Sequence, residues 1–291
     1  GGVVFPPFVT WLFLTFSWKT SLIIMAILLM LITAIPQMIF MRDHPSEMGL
    51  EMDGGPAPEK TAKAKKAKKI YEGYKSPIDW EIKDAVRSPQ LWVVGLAWGS
   101  TVFGYCAVQY FGMTHLIMNG FPDMVAASAV SVMSAALLVG SLILSPLTDR
   151  MNPKIALVFI GIVGAAGCVL FDIAARAGSM PLMIVAMILC GAPNGPIICA
   201  VMNTLVSYFG AKNYAGIQPY CNILITLIGA ASSSVCGWAL TQFGSLSNAF
   251  YIAALFGVVI SVAVLIFLRP PKVSEKMLAR YQAKAEAAAQ K

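Results

Sequence analysis

Amide and phenol side chains sit deep inside otherwise apolar stretches of this chain, and their chemistry is recognition by hydrogen bonds rather than bond-making. Tyr105, Gln109 and Tyr110 cluster in one stretch, with Tyr105 and Gln109 on one helical face by i,i+4 spacing. Asn194 lies between Pro193 and Pro196 in the run GAPNGP, where the prolines free backbone carbonyls that an amide can satisfy. Gln218, Tyr220, Asn222 and Thr226 gather around Pro219, and Asn203 stands alone. Polar groups in such surroundings are costly unless partnered. Each is therefore a candidate contact to a small solute or a bond between helices. Trp98 and His115 are lesser candidates; His115 titrates near physiological pH and could carry a proton. Asp172, four residues before Arg176, reads as a local helix pair. No H-E-x-x-H or G-x-S-x-G pattern, nucleotide-binding loop or catalytic triad occurs in the sequence. The six cysteines show neither metal-ligand nor redox-pair spacing. We expect no enzyme activity, no cofactor and no metal.

The elements that hold these residues are long and apolar. Eight stretches read as membrane-spanning: 3–17, 20–40, 90–117, 124–148, 155–175, 180–208, 214–241 and 248–268. Asp172 is the sole formal charge within them. A bilayer core of about 30 Å takes about 20 helical residues, and the runs are continuous rather than alternating, which excludes a β-barrel. With 58% hydrophobic and 12% charged residues, the chain is far from a soluble domain. The expected fold is all-α, a polytopic helical membrane protein. Of the 21 lysines and arginines, 19 fall on one side of an eight-span chain, and only Lys19 and Arg176 on the other. By the positive-inside rule both ends lie in the cytoplasm, which predicts a multi-pass protein of the plasma membrane. The basic run Lys60, Lys63, Lys65, Lys66, Lys68 and Lys69 lacks interleaved aromatics, so nucleic acid is not an expected partner. The bilayer is.

The long connection divides the chain. Residues 1–41 hold two spans, 42–89 a linker, 90–268 six spans and 269–291 a tail. Within the linker, Ser76 and Pro77 suit the cap and first turn of a short interfacial helix, with Ile78, Ala85 and Val86 on its apolar side and Trp80 at the interface. Residues 229–244 echo 140–152, which suggests a repeat of three spans. The chain opens on Gly1-Gly2-Val3-Val4, without an initiator Met, and reads as a fragment.

The turn Ser145-Pro-Leu147-Thr-Asp149-Arg150-Met-Asn152-Pro-Lys154 resembles the cytoplasmic signature G-x-L-a-D-R-x-G-r-k of the major facilitator superfamily. Ser145 and Asn152 replace its glycines, and Asn152 is expected to keep the left-handed turn that Gly permits. Arg42-Asp-His-Pro45-Ser-Glu-Met-Gly49-Leu50-Glu-Met-Asp53-Gly54 is similar to the tail after helix six in the oxalate/formate antiporter and monocarboxylate porter branch, and 84–92 to its lead-in to helix seven. The resemblance runs from Gly1 to about Pro271. It implies that the eight spans are helices five to twelve of twelve. It also implies a secondary transporter working by alternating access, with exchange or a coupling proton, on a small organic solute such as a monocarboxylate. Substrate contacts would then fall on Tyr105, Gln109, Tyr110, Asn194, Gln218, Tyr220 and Asn222, and a cytoplasmic gate on Asp149, Arg150 and Lys154. Members moving carboxylates commonly carry a basic residue in helix eight or eleven. The corresponding stretches here, 124–148 and 214–241, hold none. A receptor or scaffold derived from such a fold is the other class to weigh.

Overall fold

The computed structural model describes residues 4–40, 74–148, 150–271, 273 and 277–281. Every regular element among them is a helix. Residues 7–68 form one compact unit; residues 1–6 and 69–291 form the other.

In the first unit, α1 (Phe5–Thr15) is followed by α2 (Trp18–Leu29), a π-helical turn (Met30–Ala34) and α3 (Ile35–Phe40). Ser17 caps α2, and the Ser21 hydroxyl donates to the Leu12 carbonyl at 3.0 Å, tying the two helices together. Trp18–Met38 is long and apolar enough to cross a bilayer, but α1, at 11 residues, falls short of the span expected over 3–17.

The second unit holds α4 (Ile82–Val86), α5 (Pro89–Met118), α6 (Asp123–Thr148), α7 (Pro153–Ala177), α8 (Met180–Gly191), α9 (Ile197–Phe209), α10 (Tyr214–Phe243) and α11 (Ser247–Phe267). α5 packs chiefly on α10 and α11, α7 on α11 and α8, and α6 on α8. The stretch expected as one helix over 180–208 is broken by a 3-10 turn at Ala192–Asn194. Glycine allows this break to nest against α6. A Cβ on Gly191 would stand 2.1 Å from the Met133 carbonyl oxygen, and one on Gly140 2.3 Å from that of Ala192. Buried residues form two layers: Leu91, Trp80, Phe209 and Ile217 toward the α4 end, and Phe103, Leu116, Phe171, Met183 and Phe250 toward the opposite end.

The segment before α5 differs from expectation. Its helix starts at Ile82 with Glu81 as N-cap, not at Ser76. Ser76 instead accepts from the Trp80 indole at 3.1 Å, and Trp80 is buried edge-on against Phe209 rather than lying at an interface. Two ladder-like bonds, Ser76 N to Ser207 O (2.8 Å) and Trp80 N to Phe209 O (2.9 Å), bind this segment along the end of α9. Gly210, at φ +86°, permits the approach, since a Cβ there would strike Asp79. The motif at 42–54 and the basic run at 60–69 lie outside the described residues.

Candidate functional site

Tyr105 lies at the middle of the 30-residue α5. It is half-buried, with its hydroxyl in hydrogen-bonding reach of Ser134 on α6. Cys106 and Tyr110 point another way. Cys106 adjoins Gly229 of α10 and lies near Tyr110, which is 63% exposed. At about 100° per residue, Gln109 points between these directions, toward the opening between α6 and α10. Its amide oxygen is buried and takes no hydrogen bond from the described residues. A carbonyl left without a donor costs about 1–3 kcal/mol, so the site is poised to accept one.

α10 is the least buried long helix of its unit, and its open side is divided. Gln218, Asn222, Thr226 and Ser233 recur at helical spacing along one flank, half-buried or exposed. Ile223, Leu227 and Trp238, all more than half exposed, occupy the other. The buried side carries Ile217, Cys221, Ser232, Cys236 and Ala239. Ser232 donates to the Phe103 carbonyl at 2.9 Å and Cys221 to that of Leu91 at 3.8 Å, fixing a parallel register with α5 offset by 129 to 130 residues. Asn222 is therefore level with Trp92, about 17 residues or roughly 25 Å along the helix from Gln109. One small solute cannot touch both at once. The residues singled out in the sequence divide into a mid-helix group, Tyr105, Gln109 and Tyr110, and a row nearer the α4 end, Gln218, Tyr220 and Asn222. Tyr220 packs on the buried layer at that end.

Asn194 is buried in the break between α8 and α9, and its amide donates to the Cys190 carbonyl at 3.0 Å. That bond satisfies a carbonyl which the broken helix leaves free. A groove of about 410 Å³ between α6 and α8 is walled by Val132, Val139, Ile143 and Ile188 and holds none of the candidates.

Of the gate residues, Asp149 lies outside the described residues. Arg150 is exposed and Lys154 half-buried. Asn152 does not take the left-handed conformation expected of it. At φ −59°, ψ 123° it is the N-cap of α7, its side chain accepting from Lys154 N at 3.0 Å.

The structure also assembles a group read from spacing only as a local helix pair. Asp172 is fully buried, and three helices meet on it. Arg176 reaches one carboxylate oxygen at 3.0 Å and the Tyr251 hydroxyl donates to the same oxygen at 2.7 Å. His115, 2% exposed and flanked by Phe171 and Phe250, stands 3.2 Å from the other oxygen, near enough to pair but not aligned for a full hydrogen bond. The i,i+4 pair expected from spacing is present, but it is one side of a clamp joining α5, α7 and α11. Only the singular occurrence of a charge in an apolar run pointed to it.

Residues 1–219 match the sequence profile of the Major Facilitator Superfamily, about three quarters of the 291-residue chain. No curated protein sequence matches it.

Proposed function

Because the chain belongs to the Major Facilitator Superfamily, a family of membrane transporters, we propose that it is a secondary transporter that moves a small organic solute by alternating access. The observation that carries this reading is the divided open side of α10. Polar side chains in a membrane helix are costly against lipid and are retained where they face water or a partner. The Gln218, Asn222, Thr226 and Ser233 flank then lines the aqueous route, and the Ile223, Leu227 and Trp238 flank meets lipid or a neighbouring helix. The solute binds higher, at the Tyr105 and Gln109 level, where the partnerless amide oxygen accepts its donor. The α4 end is cytoplasmic, in the plasma membrane. Asp149, with Arg150 and Lys154, latches that end closed.

No Lys or Arg stands in α6 or α10. A buried carboxylate without a cation costs several kcal/mol. The reading therefore favours an uncharged solute, or a monocarboxylate neutralised by a co-transported proton, over a dicarboxylate. Uptake into proteoliposomes holding the full-length protein tests it, with labelled lactate, formate and neutral analogues offered under an imposed proton gradient. Accumulation above the external concentration supports the transporter. Saturable binding with no accumulation for any solute would point instead to a receptor.

A further inference from the structure

We infer that a recess at the α4 end of the bundle is a binding site for a phosphate group. The recess has a volume of about 200 Å³ and shares Lys154 with the proposed cytoplasmic latch. It gathers the N-terminal end of α7, the C-terminal ends of α9 and α11, and the segment before α4. Lys154 enters from α7 and Arg269 from just beyond α11, with Asn152, Ser207, Tyr208 and Tyr74 completing the polar wall. No carboxylate of the described residues lines it.

Three observations point to an anion. First, the two cations share one recess, and neither takes part in an ion pair between described residues, whereas Arg176 and Arg280 both do. Like charges brought together in this way lower their repulsion by taking up an anion. Second, the donors suit phosphate: Arg offers a planar fork for two oxygens and Lys a mobile point charge. Third, the walls are fixed in advance. Tyr74 lies edge-on to Tyr208 with centroids 6.0 Å apart, and its hydroxyl donates to the Pro271 carbonyl at 3.2 Å. The Asn152 side chain is held by Lys154 N. With a water taking about 30 Å³, the recess admits a phosphate group and a few waters.

The phosphate reaches this place from one of two sources, an anionic phospholipid headgroup or free phosphate. The apolar spans end here, and Phe267, 64% exposed, offers a surface beside the recess for an acyl chain.

The test uses the full-length protein in detergent, with apparent Kd read from the shift in thermal unfolding. Its probes are dioleoylphosphatidylglycerol, dioleoylphosphatidylcholine and inorganic phosphate. The proteins are wild type, Lys154→Gln, Arg269→Gln and the double variant. We expect saturable binding to wild type that weakens about fivefold for each cation removed, equivalent to about 1 kcal/mol per basic residue near an anionic headgroup. Preference for phosphatidylglycerol with no response to inorganic phosphate assigns the lipid source; a response to inorganic phosphate alone assigns the free anion. Equal affinity in wild type and double variant, or no binding of either anionic probe, overturns the site. The two single variants keep the test decisive if the double variant fails to fold.

Discussion

Two side chains carry most of what can be tested at the scale of the residue. Gln109 offers a buried amide oxygen with no partner among the described residues. Gln109→Ala should weaken solute binding about fivefold, the worth of roughly one net hydrogen bond, without lowering the unfolding temperature. Equilibrium binding beside a melting curve checks both halves. Asp172 behaves in the opposite way. Removing a buried carboxylate strands the groups that face it, so Asp172→Ala should cost about 2–3 kcal/mol, discounted because Arg176 is half exposed to solvent and can rehydrate. Thermal unfolding of the purified protein reads this directly, and an unchanged midpoint would show that the clamp holds nothing together. Both residues were visible in the sequence as polar atoms in apolar runs. Their partners were not: Tyr251 lies 79 residues from Asp172, and no periodicity connects them. For the same reason, i,i+4 spacing could link Tyr105 with Gln109 but could not reveal that Asn222 stands about 17 residues lower on a neighbouring helix.

At the scale of elements, the helix break and the clasp before α5 make separate predictions. Gly191→Ala places a methyl carbon against the Met133 carbonyl oxygen, in backbone that cannot rotate away. It should destabilise by about 1–3 kcal/mol. Gly237→Ala, in α10 with open space around it, should stabilise by up to about 1 kcal/mol through helix propensity alone. Denaturation of the two variants side by side separates packing from propensity. The clasp joins the C-terminal tail to α4. Arg280 pairs with Asp84 at 2.5 Å, and the Tyr281 hydroxyl donates to Asp84 at 2.9 Å while accepting from Glu81 N at 2.6 Å. Burial, aided by the Asp84 carboxylate, raises the Tyr281 pKa above its ordinary value, though the Glu81 N–H pulls the other way. A raised pKa in the folded state means that the contribution is complete below the ordinary value of about 10 and is lost as the pH rises through the raised one. Thermal melts at increasing alkaline pH should therefore show a loss in wild type that Tyr281→Phe lacks. Spans were legible here because hydropathy and length are local properties. The position of α4 was not, because Ser76 and Pro77 suit a helix start but long-range bonds to Ser207 and Phe209 pull the backbone straight.

At the scale of the molecule, the candidate site of the six-span body opens outward between α6 and α10. That arrangement suits a half that works against another body across a shared aqueous route, as alternating access requires. The superfamily was legible from the loop motif and the span pattern, because those are set by local sequence. The route was not legible, because it depends on which flank of α10 the packing leaves open. The measurement that tests the account most directly is therefore accessibility along that helix. Asn222→Cys, Thr226→Cys and Leu227→Cys, made in a background lacking the six native cysteines, would be labelled in membrane vesicles with a membrane-impermeant maleimide. The account predicts rapid labelling at 222 and 226, and little at 227. Labelling at 227 equal to that at 222 and 226, or none at any of the three with both membrane faces exposed, would contradict it.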